Sequence, residues 1–523
     1  MADKKKDWSH FGNFFCIHNE ESSKKSVAQG EQSRKPSDSK KASVKENHPE
    51  KTEKRFIAKL KKISKAIPPF LLEPNLQFPE TEKSEPVDLV IGFDLGTAWT
   101  KIVVQDTSRR RAIAVSFKEY GSTHNPFLLP TRVGISDGHL TLCKREDPHH
   151  ICKDLKISLI EKPEQRMEII DNEELTVTGC ALAAIFIAIV LRYVRHWFIE
   201  SQADIYKNNL LRWQLNLGIP VKNYDNKQIK DAFHKAALIG WWLSEQKGEI
   251  TLTSSKKAFE KSKDSNLQLG IHREYINVVP EVAAEVAGYA YSDLREEGLH
   301  LLVDIGATTL DVSTFILNTK DGENRYGFLS AEIGRYGAFE LHRSRLEAFK
   351  IFINSWLLKV DGISETLEPV PESYDQYIPP KGDIPDFDDE FTKKAAGPIT
   401  KVVARTKKDR DPKSKAWKDG LPLFLCGGGS LAKFYSDNLF RNVKNSLNSY
   451  VWKGFRSKQI PKPENLEAEG LRSHDYHRLA VAYGLSFQYE NIGTIIPPSE
   501  IDDIPPDPPR KRYEERFISK DMM

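Results

Sequence analysis

The apolar positions of this chain fall in short β-branched runs separated by tight turns and by longer helical stretches, and two of the runs repeat one design. Leu89-Val-Ile-Gly-Phe-Asp-Leu-Gly-Thr-Ala-Trp-Thr-Lys-Ile-Val-Val104 and Leu301-Leu-Val-Asp-Ile-Gly-Ala-Thr-Thr-Leu-Asp-Val-Ser-Thr-Phe-Ile316 each carry an apolar strand into Asp-(Leu/Ile)-Gly, then a small-residue turn, then a second strand. The copies lie about 200 residues apart, the separation of two domains rather than of one loop. Around them the pattern predicts a strand over 213–221, a helix over 227–244, an Ala-rich helix over 278–291 and a helix over 399–408. A strand over 421–426 runs into Gly427-Gly-Gly-Ser430, and a last helix covers 477–489. Strands alternating with helices predict an α/β fold. Residues 251–268 read as a polar surface excursion and 369–389 as a long acidic loop.

The longest uncharged apolar run, 175–191, is flanked by Glu173, Glu174, Arg192 and Arg195. It falls short of the roughly 20 residues a bilayer span needs, so it predicts a buried helix and no transmembrane span. From Glu20 to Arg55 the sequence is Lys, Ser, Glu and Gln with almost no large apolar residue, a composition that cannot bury enough surface to offset its ordering entropy; a disordered charged tail is expected over 1–85. Two islands interrupt it. Residues 8–15 are aromatic, and 56–67 read as a basic amphipathic helix with Phe56, Leu60, Ile63 and Ile67 on one face, expected to dock on its own domain or stay frayed, or else to anchor to a partner or a membrane surface. Beyond Ile496 the chain turns Pro-rich and charged, again a tail.

Composition narrows the function classes. With 523 residues there is room for two to four domains. A formal net charge of +3 gives no electrostatic footprint for nucleic acid, and none is expected as a partner. The five cysteines form no CxxC pair and are odd in number, which fits a reduced, cytoplasmic setting. No apolar segment follows the basic N-terminus, so no signal peptide is read. Cys143, His149, His150 and Cys152 match no standard zinc spacing. Trp241 and Trp242 read as core, and 407–410 as a solvated helix end.

The chemistry sits in the turns. Gly96, Thr97 and Ala98 form a backbone nest of the kind that cradles a phosphate, with Lys101 as a point charge and Asp94 at a strand end able to hold a hydrated Mg²⁺. Gly306, Ala307, Thr308 and Thr309 repeat the nest, with Asp304 placed to orient a water or the metal's water and Asp311 a further outer-shell candidate. Gly427, Gly428, Gly429 and Ser430 let backbone lie flat against a base or ribose. No Walker A pattern is present, since a strand and not a helix follows the first turn.

Taken together these motifs resemble the actin-like ATPase superfamily. Asp94-Leu-Gly-Thr is similar to its first phosphate loop, Asp304-Ile-Gly-Ala-Thr-Thr-Leu-Asp-Val to its second, and Leu425-Cys-Gly-Gly-Gly-Ser to its adenosine loop. Pro280-Glu-Val-Ala-Ala-Glu-Val-Ala and Arg478-Leu-Ala-Val-Ala-Tyr-Gly-Leu-Ser486 resemble its two connecting helices, all in family order across about residues 88–490. Leu129-Pro-Thr-Arg-Val133, Tyr336-Gly-Ala-Phe-Glu340 and Ala480-Val-Ala-Tyr-Gly484 favour the branch of the DnaK-type (Hsp70-like) heat-shock chaperones, and Lys156 sits where that branch keeps a catalytic lysine. Lys101 is instead a feature of actin and the segregation filaments. Two departures stand out. Pro280-Glu281 inverts the chaperones' Glu-Pro order, and too few residues follow the last helix for a peptide-binding domain.

The resemblance implies a two-lobed actin-like fold of duplicated ribonuclease H-like domains. Lobe I would cover 86–297 and lobe II 298–470, a helix over 471–495 would return to lobe I, and 1–85 and 496–523 would be disordered tails. It implies ATP and Mg²⁺ in the cleft, with Asp304, Glu281 and Lys156 catalytic and Asp94, Asp304 and Asp311 about the metal. The function implied is an ATP-driven Hsp70-like switch acting on a protein partner through the tails. A filament-forming ATPase, a small-molecule kinase of the same fold, and a nucleotide binder without turnover are the alternatives.

Overall fold

The computed structural model describes residues 67–505, less 80–84, 123–124, 137–138, 144–149, 153–154, 162, 164–165, 172, 264–274, 354–387, 449 and 451–452. The aromatic stretch 8–15, the amphipathic stretch 56–66, the acidic stretch up to 387 and the chain beyond 505 lie outside the described residues.

The first Asp-Gly repeat forms the hairpin β1 (Glu85–Leu95) and β2 (Trp99–Asp106), followed by β3 (Arg111–Ala114) and β4 (Leu129–Pro130). A small sheet of β5 (Val133–Ser136), β6 (His139–Leu142) and β7 (His150–Cys152) and the hairpin β8 (Arg166–Asp171), β9 (Glu173–Thr178) come next. β10 (Asn209–Ile219) and β11 (Ile276–Pro280) complete the first half. The second repeat forms β12 (Gly298–Ile305) and β13 (Leu310–Lys320), continued by β14 (Glu323–Gly334). Four strands remain: β15 (Leu421–Cys426), β16 (Phe455–Lys458), β17 (Leu466–Glu467) and β18 (Thr494–Ile496).

The chain is mixed α/β, and its two large sheets share one plan. The first runs β11-β10-β1-β2-β3-β17 with β4 beside β2; the second runs β16-β15-β12-β13-β14-β18. In each, a parallel trio is followed by an antiparallel meander, and a strand from late in the chain closes the far edge in parallel. The hairpins match in register too: Asp94 faces Lys101, and Asp304 faces Asp311.

Each sheet buries its own core. The first is covered by the Gly179–Ser201 and Lys227–Glu245 helices, the second by the Asp388–Arg405 helix. Gly179–Ser201 is, among the described residues, the one helix long and apolar enough to cross a membrane, and Cys180 to Leu191 are all buried in the first core. A third cluster mixes both halves. In it the Glu281–Ala290 helix, which leaves the first sheet, packs on Leu302, Phe315 and Phe424 of the second. The Ala480–Leu485 helix, which follows the second sheet, lies on β1, β2 and β10 of the first. The two helices cross where Gly484 meets Ala284: a Cβ on Gly484 would stand 1.8 Å from the Ala284 carbonyl oxygen. Asn216 of β10 then holds the end of the Ala480–Leu485 helix, its Nδ2 donating to the carbonyls of Leu485 and Phe487 at 2.8 Å each.

Several boundaries differ from the sequence reading. The Ala-rich helix begins at Glu281, not 278, because Ile276–Pro280 pairs with β10 and proline ends that strand. The excursion at 251–268 contains the Leu252–Lys263 helix, with Ala258 and Phe259 buried. The helix expected over 399–408 starts at Asp388 and passes into a π-helical turn, Thr406–Arg410, whose Arg410 is buried and pairs with Asp503 at 2.8 Å instead of ending in solvent. The last helix is broken into a 3-10 turn, Ser473–Arg478, then Ala480–Leu485 and Tyr489–Ile492. Stretches of both expected tails pack on the folded chain. Phe70, Leu71 and Phe78 are buried in the first core, with the Phe70 ring edge-on to Tyr193 at 5.3 Å. At the other end β18 pairs with β14, and the Ile504 amide donates to Asp409. Trp241 is core, beneath the Arg195 guanidinium at 4.6 Å.

Candidate functional site

Both Asp-Gly turns open on one pocket of about 580 Å³, within the range of small-molecule sites. Gly96, Thr97 and Ala98 line it from the first hairpin; Gly306, Ala307 and Thr309 line it from the second. The turns are anchored from behind. The Ala98 carbonyl accepts from the Thr131 amide of the Leu129-Pro-Thr-Arg-Val133 segment. The carbonyls of Gly306, Ala307 and Thr308 accept from Ala338, Phe339 and Gly337 at 2.7–3.0 Å, which satisfies the opening amides of the Ala338–Ile353 helix. Thr308 is spent on that anchor and does not line the pocket.

Gly427 to Gly429 form the third wall. Gly427 has φ +78°, and a Cβ there would lie 2.0 Å from Asp304 Oδ1, so the position admits only glycine. Gly428 lies against the Arg478 guanidinium. Ser430 does not reach the pocket; its hydroxyl donates to the Gly427 carbonyl at 2.7 Å and closes the turn.

The floor is charged. Asp94 and Lys101 pair at 2.5 Å, and Lys156 and Glu281 at 2.6 Å. Asp304 and Asp311 line the same floor, and the Thr309 hydroxyl donates to Asp311 Oδ2 at 2.9 Å. Burial pushes Asp304 up to about 7, with the Asp311 carboxylate adding to it against Lys156 and Lys101. Burial likewise raises Glu281 to about 7, with Lys156 pulling the other way. Burial alone would lower Lys156, but Glu281, Asp311 and Asp94 outweigh it and hold the ammonium above the ordinary lysine range. All the residues read from the sequence except Thr308 and Ser430 therefore meet at one pocket.

The structure adds residues the sequence reading did not single out. Glu285 is one helical turn beyond Glu281, so both carboxyls share a face, and both line the pocket. Burial, then the Asp304 charge, raise Glu285 well above the usual carboxylate range. Cys426 is buried, and burial with the charges of Glu285 and Asp304 keeps it a neutral thiol. Arg472 and Arg478 contribute positive charge from the 3-10 turn and its approach, and His477 lines the pocket beside them. The only advance signal for Glu285 was a lone acid inside an Ala/Val helix.

The arrangement can hold an anion against backbone turns and lysines while offering carboxylates to a cation or a water. Among the described residues no three His, Cys, Asp or Glu side chains are grouped tightly enough to hold a metal ion unaided. A hard cation here would take part of its shell from water and from its ligand's oxygens. No family model and no curated protein matches the chain.

Proposed function

We propose that this chain is a two-lobed, actin-like nucleotide-binding protein of the Hsp70-like kind, which binds ATP with Mg²⁺ and works as a conformational switch toward a protein partner in a reducing, cytoplasmic compartment. The observation that carries the reading is the pair of hairpins. They share one register, hold equivalent places in two sheets of the same order, and open on a single pocket.

On this reading the turns at Gly96–Ala98 and Gly306–Thr309 cradle the β- and γ-phosphates, and Lys101 and Lys156 supply fixed positive charge. The donor set suits Mg²⁺: it is all oxygen, and the buried Asp311 Oδ1 has no hydrogen-bond partner. Asp94, Asp304 and Asp311 would hold the ion through water, and when bound it neutralises developing charge on the phosphoryl oxygens. Asp304 orients the attacking water, and Glu281, held by Lys156, forms the adjoining wall. The Gly427–Gly429 backbone faces the nucleoside. Because the Glu281–Ala290 and Ala480–Leu485 helices each pack on the opposite half, a ligand that draws the turns together moves both.

Nucleotide binding and phosphate release by the wild type beside Asp304→Asn test this. The variant should keep ATP affinity and lose phosphate release by about 100-fold or more. Equal release by the two proteins removes the role given to Asp304, and absence of ATP affinity in the wild type removes the whole reading. Lys101, paired with Asp94, favours a second reading as a filament-forming ATPase, which predicts ATP-dependent pelleting.

A further inference from the structure

One wall of the pocket holds a buried donor that the turns, lysines and carboxyls leave unused. Asn125 precedes β4, lines the pocket together with Ser122 and Leu128, and is 3% exposed. Its Oδ1 accepts from the Phe127 amide at 3.0 Å. Only the oxygen of a side-chain amide can accept from an N–H, so this bond fixes which way the amide faces and leaves Nδ2 as the remaining donor. Nδ2 is buried and has no hydrogen-bond partner among the described residues. The backbone holds the residue on both sides: the Asn125 amide donates to the Ser122 carbonyl at 3.3 Å, and the Leu128 amide donates to the Asn125 carbonyl at 3.2 Å.

The turn itself does not call for an amide. An aspartate would accept from Phe127 equally well, and a serine would do so more weakly. What asparagine adds is the NH₂ group, and a buried NH₂ without an acceptor is a standing cost. The residue is also tied to the first phosphate turn. β4 pairs with β2 at Trp99 and Thr100, and the Thr131 amide donates to the Ala98 carbonyl at 3.0 Å. Lys101 and Lys156 already serve Asp94 and Glu281, whereas the Asn125 amide serves no carboxylate. The missing acceptor is therefore an oxygen brought in by a ligand seated on the first turn, and phosphate is the acceptor-rich group that such a turn receives.

We propose that Asn125 is a ligand-binding residue of this pocket, its Nδ2 donating to a phosphate oxygen of the polyphosphate held by the Gly96–Ala98 turn. The inference rests on the nucleotide reading above and adds to it a side-chain contact outside the turns, the lysines and the metal. A neutral amide strengthens the grip on phosphate without adding a cation that the floor carboxylates would capture.

The test is calorimetric titration of the full chain with ATP and, separately, with inorganic tripolyphosphate, each with Mg²⁺. Asn125→Ser keeps an oxygen for the Phe127 amide and removes the NH₂; it should weaken both ligands by about tenfold or more. Asn125→Asp keeps the Phe127 bond in full and sets a charge where the donor was; it should weaken both by about a hundredfold. Because it preserves the turn, the Asp variant carries the test if the Ser variant does not fold. Wild-type affinity for ATP in either variant overturns the proposal and leaves the amide to water. A loss confined to ATP, with tripolyphosphate unaffected, overturns it too, since the contact would then be to the nucleoside. The two layers separate cleanly. ATP binding with no dependence on Asn125 sinks this inference alone. Asn125-dependent binding of tripolyphosphate without ATP affinity keeps the contact and sinks the nucleotide reading, and a wild type that binds neither sinks both.

Discussion

Lys156 and Glu281 come from segments 125 residues apart and meet below the pocket at 2.6 Å, both nearly sealed from solvent. Their worth depends on pH in a direction that can be worked out. Burial lifts Glu281 from its ordinary 4.5 to about 7 in the folded chain, and it lifts Asp304 from 3.8 to about 7. A carboxyl raised on folding binds a proton that the unfolded chain gives up. Its contribution is full below the unfolded value and is lost as pH climbs through about 7. Lys156 is the cation that pulls Glu281 down, so Lys156→Met should cost about 3–5 kcal/mol at pH 8, where the acid is left ionised and unpaired. At pH 5 the acid takes a proton and the cost should shrink to a fraction of that. Adding Glu281→Gln should recover most of the loss at pH 8. Urea unfolding at the two pH values decides, and an equal loss at both contradicts the account.

Between elements, the decisive contact is the crossing of the Glu281–Ala290 and Ala480–Leu485 helices. A Cβ at Gly484 would meet backbone of Ala284 at 1.8 Å, and backbone cannot swing aside as a side chain can. Gly484→Ala should therefore cost about 1–3 kcal/mol or more in urea unfolding, despite alanine's better helix propensity, and a gain in stability would contradict the close crossing. At this scale the sequence was most legible where local pattern and tertiary role agree. The hairpins, the triple glycine and the Lys227–Glu245 helix could be read because strand period, turn chemistry and helical period each leave a local mark. Boundaries failed where one residue reassigns an element, as when Pro280 closes a strand and moves the helix start to Glu281. Docked ends were missed because composition averages over a few anchors: Phe70 and Phe78 in a polar stretch, and Ile501 packed on the second core beyond a proline pair. Glu285 was missed because a single acid carries no period at all; only the fold brings it beside Asp304.

At the scale of the whole molecule, two sheets of one plan each bury a core of their own, while the third cluster draws Val221 and Val279 from the first half together with Leu302 and Phe328 from the second. That shared cluster should make heat unfolding a single cooperative transition, since neither half can lose its strands without exposing the other's packing. A ligand gripped by both hairpins then stabilises the entire assembly, and at 100 times its dissociation constant it adds about 2.7 kcal/mol. Calorimetry with ATP and Mg²⁺ should accordingly raise the one transition by a few degrees without splitting it. Gly428→Ala should shrink the shift while leaving the ligand-free transition largely in place. Its Cβ would lie 3.2 Å from Arg478 Nη2, the far end of a flexible side chain at the pocket wall, and would crowd the face the nucleoside lies on. If ATP instead raises only the upper or lower part of a divided transition, the ligand is held by one sheet alone. The matching registers at Asp94–Lys101 and Asp304–Asp311 would then be a likeness of form without a shared task.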